Sequence, residues 1–276
     1  MIRIVVDSAA DCTQQTGIFD DLIPLTVSIG GEDYLDGVNM TADRFFELLT
    51  TAGEFPKTSQ PSPESFFKVF RKAQALGDEV LCFTVSSALS GTYQSATIAK
   101  EMVEYDKIHI IDSCTASRLI AVLAQYARKR IDEGAEAAVI AQECEELKKR
   151  VKVMAGLETL EYLQKGGRLG KTAATVGQIA GIKPIVTITE EGTVNAGSKA
   201  IGVPRAIASI VSKLQTLELD ENFPIYTLYT SGLENPAKLE DKLTQAGYTV
   251  AGRLQIGPTI GAHVGPGVYG VMYVVK

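Results

Sequence analysis

Short runs rich in β-branched residues alternate along this chain with longer stretches whose apolar residues recur at helical spacing. Strands are expected over 2–6, 79–84, 107–111, 151–155, 183–189, 193–198, 223–229, 250–255 and 268–275. Helices are expected over 42–51, 63–75, 91–103, 115–132, 136–149, 172–181, 203–216 and 234–246. Such alternation builds a largely parallel sheet covered by helices, because neighbouring parallel strands need a helix-length crossover between them. In the first half strand, loop and helix recur in turn, as in a doubly wound sheet. The second half departs from this rhythm: Glu190-Glu191-Gly192 is a short hairpin turn between two strand candidates, so an antiparallel pair enters. The expected fold class is therefore α/β in two domains. Residues 1–155 form an N-terminal α/β domain with a largely parallel, doubly wound sheet, and residues 156–276 form a C-terminal α/β domain with a mixed sheet and helices. No low-complexity linker separates them, so the two are expected to pack closely.

Charge and composition narrow the function classes. The net charge of −6 and the absence of Trp argue against nucleic acid as a partner and leave at most transient membrane contact. No run approaches the ~18 apolar residues of a membrane span. Met1 to Ser8 reads as a strand entering a turn and not as a signal peptide, since Asp7 ends a short apolar run. Cys12, Cys82, Cys114 and Cys144 are scattered without a C-x-x-C pair, as expected of thiols in a reducing cytoplasm. The chain reads as a soluble, cytoplasmic protein.

Two polar clusters have the composition of an anion pocket. The first joins Thr58-Ser59-Gln60-Pro61-Ser62-Pro63 to the segment Ser86–Ser95, and the second runs from Ile256 to Gly267. Ser62 before Pro63 is a helix start, which leaves Thr58 and Ser59 in a loop beside unpaired backbone donors. Ser90 follows a strand and caps the helix expected from Gly91, whose missing side chain lets a ligand approach the backbone. Both serines also make sense as ordinary turn or cap residues. Asp7-Ser8 and Asp112-Ser113 follow strands in the same way and rank second. Arg168, after Gly166-Gly167, is aimed by a short turn either at an anion or at solvent. His263 lies in a glycine-rich loop, where it either completes an anion clamp or serves a structural hydrogen bond. His109 lies in a strand and reads as structural. Gly265–Gly270 matches G-x-G-x-x-G but leads into a strand instead of a helix, and no P-loop, G-x-S-x-G elbow or H-E-x-x-H occurs.

Taken in order, these motifs resemble the DegV family. The stretches that carry the resemblance are Asp7-Ser8, Thr58 to Ser62, Ser86 to Ser95, Asp112-Ser113 with Ser117, Tyr162 to Leu169, Lys183-Pro184 and Ile260 to Gly270, which together span essentially the whole chain. The sequence departs from the family pattern at Cys12 and after Ser117, where Arg118, Leu119 and Ala121 replace a more glycine-rich helix start. The resemblance implies a long-chain fatty acid buried in a pocket between the two domains, with no other cofactor. Its carboxylate would be held by Thr58, Ser90, the Gly91 N–H and His263, with Ser59 and Ser117 of second rank. Arg168 would help to engage a partner, the ATP-binding subunit of a fatty acid kinase, which phosphorylates the presented carboxylate. On this reading the chain is a carrier and not an enzyme. The alternatives are a phosphotransferase or acyl-phosphate hydrolase with His263 as acid/base, and a lipid-sensing regulator.

Overall fold

The computed structural model describes residues 1–13, 16–169 and 181–276. Its first part runs β1 (Ile2–Asp7), β2 (Asp21–Ile23), β3 (Thr26–Ile29), β4 (Glu32–Leu35), α1 (Ala42–Thr51), β5 (Lys57–Ser59), α2 (Pro63–Leu76), β6 (Glu79–Thr84), α3 (Thr92–Val103), β7 (Ile108–Asp112), α4 (Arg118–Asp132) and α5 (Ala137–Leu147). The second comprises β8 (Val151–Gly156), α6 (Glu161–Lys165), β9 (Ile182–Ile188), β10 (Val194–Ile201), α7 (Val203–Leu214), β11 (Ile225–Tyr229), α8 (Glu234–Gln245), β12 (Val250–Gln255), α9 (Pro258–Val264) and β13 (Tyr269–Val274). The fold is a two-domain α/β fold.

Four parallel strands, in the order β2-β1-β6-β7, form the first sheet. Both its faces are covered, which explains why β1 and β6 are apolar almost throughout. Phe66, Phe70, Ala96 and Ala99 of α2 and α3 pack on Val5, Val80 and Cys82. Leu119, Leu123 and Ile140 of α4 and α5 pack on the opposite face, against Ile4, Val6, Leu81 and Phe83. From β1 the chain goes one way to β2, while β6 and β7 extend the other way. The carboxyl ends of β1 and β6 thus flank a switch point, where sheets of this kind bind ligands. Asp7 ties the two ends together, its carboxylate accepting from Ala9 N at 2.9 Å and from Val85 N at 2.6 Å.

The second sheet is mixed and six-stranded, ordered β10-β9-β8-β13-β11-β12, with β11 and β12 parallel and the other pairs antiparallel. Residue parity divides its faces. Met154, Ile185, Tyr269 and Val271 meet α7 and α8 on one side, whereas Val153, Ala155, Val186 and Leu228 on the other side turn to a cavity shared with the first sheet. Strand β8 hydrogen-bonds within this sheet, so we propose the domain division at residues 148–150, ahead of the position near 155 expected from sequence. The hairpin expected at Glu190–Gly192 is present, with Gly192 N donating to Thr189 O at 3.0 Å.

Several elements differ from expectation. A three-stranded antiparallel sheet, β4-β3-β5, was not expected, and its strand β5 carries Thr58. Helix α4 starts at Arg118 and not at 115, because Ser117 holds φ +61°, outside helical geometry. The segment around His263 is the helix α9 and not a loop. It packs Gly261 and Ala262 against Phe45 and Phe46. The helix expected over 172–181 lies, apart from Gly181, outside the described residues.

Candidate functional site

Between the sheets lies a cavity of about 380 Å³, inside the roughly 300–1,000 Å³ range of small-molecule sites. Apolar side chains from both domains make most of its wall, among them Leu25, Leu119, Val153, Val186, Leu228 and Val268. The polar residues Thr58, Ser59, Ser90, Ser117, Arg168 and His263, which are far apart in sequence, all line it.

A continuous run of contacts joins four of these. Thr58, on the middle of β5, is paired with Val27 of β3, and its Oγ1 lies 2.8 Å from His263 Nε2. His263 Nδ1 lies against Gly166, where a Cβ would stand only 2.3 Å away. The absent side chain therefore lets the turn after α6 close over the imidazole. Arg168 donates from Nη1 to Gly166 O at 2.6 Å and from Nε to Leu89 O at 2.9 Å, so it bridges this turn to the serine loop of the other domain. Ser90 follows Leu89, and its hydroxyl is 2.9 Å from that of Thr92, the first residue of α3.

Burial and the neighbouring Arg168 guanidinium pull the His263 pKa down to about 4. The imidazole of the ligand-free site is thus neutral at pH 7 and contributes a hydrogen bond but no charge. Its Nδ1 is buried with no hydrogen-bond partner among the described residues. Arg168 supplies the positive charge that the histidine does not.

The other expected residues take different places. The space over Gly91, where a ligand was expected to reach the backbone, is filled by Gln60. A Cβ on Gly91 would stand 2.1 Å from Gln60 Oε1, and the Gln60 amide donates to Gly91 O at 3.2 Å and Ser95 Oγ at 3.0 Å. Gln60 thereby joins the Thr58 loop to the start of α3. Ser62 occupies the cap of α2, but its hydroxyl meets Ser65 Oγ at 3.2 Å instead of a backbone N–H. Ser59 is exposed at the cavity rim. Ser117 is buried, and its hydroxyl donates to Asp11 Oδ2 at 2.5 Å.

All of residues 1–276 match a family model described as an uncharacterised protein family, DegV. The chain belongs to the DegV family. A DegV domain-containing protein of Caldanaerobacter subterraneus subsp. tengcongensis is 34% identical over 278 residues, covering 99% of this chain and 98% of the relative. A fatty-acid-binding DegV family protein from Thermus thermophilus superposes with a TM-score of 0.89 at 30% identity, covering 100% of this chain and 99% of that one. A stearic acid-binding protein from Eubacterium ventriosum gives a TM-score of 0.89 at 27% identity, with 100% and 99% coverage. Structural neighbours of this DegV chain are thus proteins that bind fatty acids. No helix among the described residues is long and apolar enough to cross a membrane.

Proposed function

We propose that this chain binds a long-chain fatty acid in the cavity between its domains and presents the carboxylate to a separate fatty acid kinase. The observation that carries this reading is the juxtaposition of a mostly apolar cavity with the contact run Thr58–His263–Gly166–Arg168–Leu89–Ser90. An acyl tail gains about 0.8 kcal/mol per buried methylene, so the apolar wall supplies affinity. A carboxylate taken from water needs hydrogen bonds and a compensating charge. Thr58 and Ser90 donate from hydroxyls, and Arg168 provides the charge.

The histidine acts through Thr58. With its proton on Nε2, neutral His263 donates to Thr58 Oγ1, which frees the Thr58 hydroxyl hydrogen for the carboxylate. The buried Nδ1 is then a bare acceptor, whereas the other tautomer would bury an unpaired N–H donor. With Nε2 engaged by Thr58 and Nδ1 closed off by Gly166, neither ring nitrogen is free to serve as a general base or phosphoryl acceptor, which favours the donor role. Ser90 belongs to the loop after β6, Thr58 stands on β5 at the edge of its small sheet and Arg168 lies in the turn after α6, and the kinase would meet the carboxylate where these three converge.

Native mass spectrometry of the protein purified from a bacterial host, followed by organic extraction, tests the binding. One long-chain fatty acid per chain is expected. An empty protein that also refuses added fatty acid would overturn the proposal. Adding ATP and a fatty acid kinase should then convert the bound acid to an acyl phosphate, trapped as its hydroxamate, with none formed when the kinase is left out. Turnover by the chain alone would favour the enzyme.

A further inference from the structure

Three carboxyl groups are buried behind the cavity wall, and the head-group chemistry uses none of them. Asp7 joins the loops after β1 and β6, Asp11 holds Ser117, and Asp36 receives Thr259 of α9. The third crosses between the elements that carry Thr58 and His263. Asp36 Oδ2 accepts from Thr259 N at 3.2 Å and also from the Thr259 hydroxyl. Both residues are only 3% exposed, so water does not compete for these bonds.

Each partner is tied to one half of the site. Asp36 follows β4, and its backbone N–H donates to Leu25 O at 3.0 Å, beside the start of β3. Strand β3 pairs with β5, register Val27 to Thr58. Thr259 lies in the first turn of α9, one turn ahead of His263. The apolar contacts of Gly261 and Ala262 with Phe45 and Phe46 hold the helix against α1. The Asp36–Thr259 bonds add a directional constraint between two buried groups at its first turn.

We propose that Asp36 is a positioning residue for the head group: by receiving both Thr259 donors it sets α9 against the small sheet and so holds His263 at hydrogen-bond distance from Thr58. This role rests on the fatty-acid reading given above. It makes a buried aspartate that does not line the cavity, acting through Thr259 which does, a determinant of acid affinity.

The test measures palmitate affinity by displacement of a fluorescent acyl probe, together with the ¹⁵N shifts of the His263 ring. Thr259→Val, which removes the hydroxyl donor at nearly constant volume, should weaken palmitate about tenfold, the size of one lost hydrogen bond. It should also move the His263 Nε2 resonance. Thr259→Ser, which keeps the hydroxyl, should restore both. In a His263→Ala background Thr259→Val should add no further loss, because the effect runs through the histidine. An unmoved His263 resonance, or an equal loss of affinity in that background, would overturn the proposal. If Thr259→Val does not fold, Asp36→Asn carries the same comparison. If the wild type takes up no palmitate, the fatty-acid reading fails, while the His263 resonance still decides whether Asp36 positions the ring.

Discussion

Replacing Gly166 by alanine separates the head-group geometry from ordinary folding effects. Gly166 ends α6 with φ −72° and ψ −11°, a conformation alanine adopts freely. On backbone grounds alone Gly166→Ala should stabilise the fold by about 0.4–1 kcal/mol, through the lost freedom of the unfolded chain. The new methyl, however, would stand 2.3 Å from His263 Nδ1, and 3.0 Å from both His263 Cε1 and Tyr162 O. Overpacking of this kind costs about 1–3 kcal/mol, so the net effect on stability runs from about zero to a loss of about 2.6 kcal/mol. The ring is expected to swing away from Thr58, with the loss of one hydrogen bond and about a tenfold drop in fatty acid affinity. Titration of delipidated protein with palmitate, beside thermal melts, measures both quantities. Two controls sharpen the reading. At Gly167, φ is +72° and no atom lies within 4 Å of the built Cβ. Gly167→Ala should therefore cost about 1–2 kcal/mol of stability while leaving affinity near wild type. In a His263→Ala background Gly166→Ala should become neutral or stabilising. Wild-type affinity and a raised Tm in Gly166→Ala itself would refute the argument that this turn holds the imidazole.

Thr58→Val removes the hydroxyl that links His263 to the carboxylate and should weaken fatty acid binding about tenfold or more, whereas Thr58→Ser should not; equal affinities of the two variants would contradict the relay. Gly156→Ala should destabilise by about 2–3 kcal/mol in chemical denaturation, because its Cβ would fall 2.4 Å from Cζ of fully buried Tyr269 on the paired strand. The ligand-free protein should also show opposing pH effects. Burial raises the folded-state pKa of Asp7 and Asp11 to about 7, with repulsion from Asp36 adding to it, and burial alone raises that of Asp36 to about 6 against its hydrogen bonds from Thr259. These acids take up protons more readily folded than unfolded, so they add stability as pH falls from 8 towards 6. His263, lowered to about 4, works the other way: its unfolded form protonates first, and stability is lost as pH falls from about 6.5 towards 4. Melting curves should thus rise from pH 8 to 6, and His263→Gln should gain on the wild type by up to about 3 kcal/mol below that. Parallel curves for the two proteins would refute the assignment of this step to His263.

How far the sequence foretold these features depended on the range of the interaction behind each. The β-branched runs of β1, β6 and β7 and the amphipathic helices after them are local patterns, and the parallel sheet was legible from them. So was the antiparallel hairpin, through Glu190-Glu191-Gly192. Strand β4, Glu32-Asp33-Tyr34-Leu35, is mostly exposed and carries little apolar signal, so the small sheet was missed, and with it the element that places Thr58. Helix α9 was read as a loop because Gly, Thr, His and Val are poor helix formers. Contacts of Gly261 and Ala262 with Phe45 and Phe46, more than two hundred residues earlier, supply what propensity lacks. Gly91 had an evident use as a ligand's approach to the backbone, and only the fold reveals Gln60 in that space. No local signal marks Asp36 as a partner of Thr259.

The electrostatics explain why the candidate head-group site is assembled from both domains. The chain carries a net charge of −6, so its overall field opposes a further anion. A cation from one domain alone would meet a carboxylate with its remaining valences open to water. Arg168 instead spends two donors on the backbone carbonyls of Gly166 and Leu89, one in each domain, which fixes its charge at the junction before a ligand arrives. The neutral Thr58–His263 pair adds a hydrogen-bond donor without adding a second cation that would be costly to bury. Gly166 serves both arrangements, since its carbonyl receives Arg168 and its bare Cα admits His263. Separating the domains would break the bridge that Arg168 makes between Gly166 and Leu89.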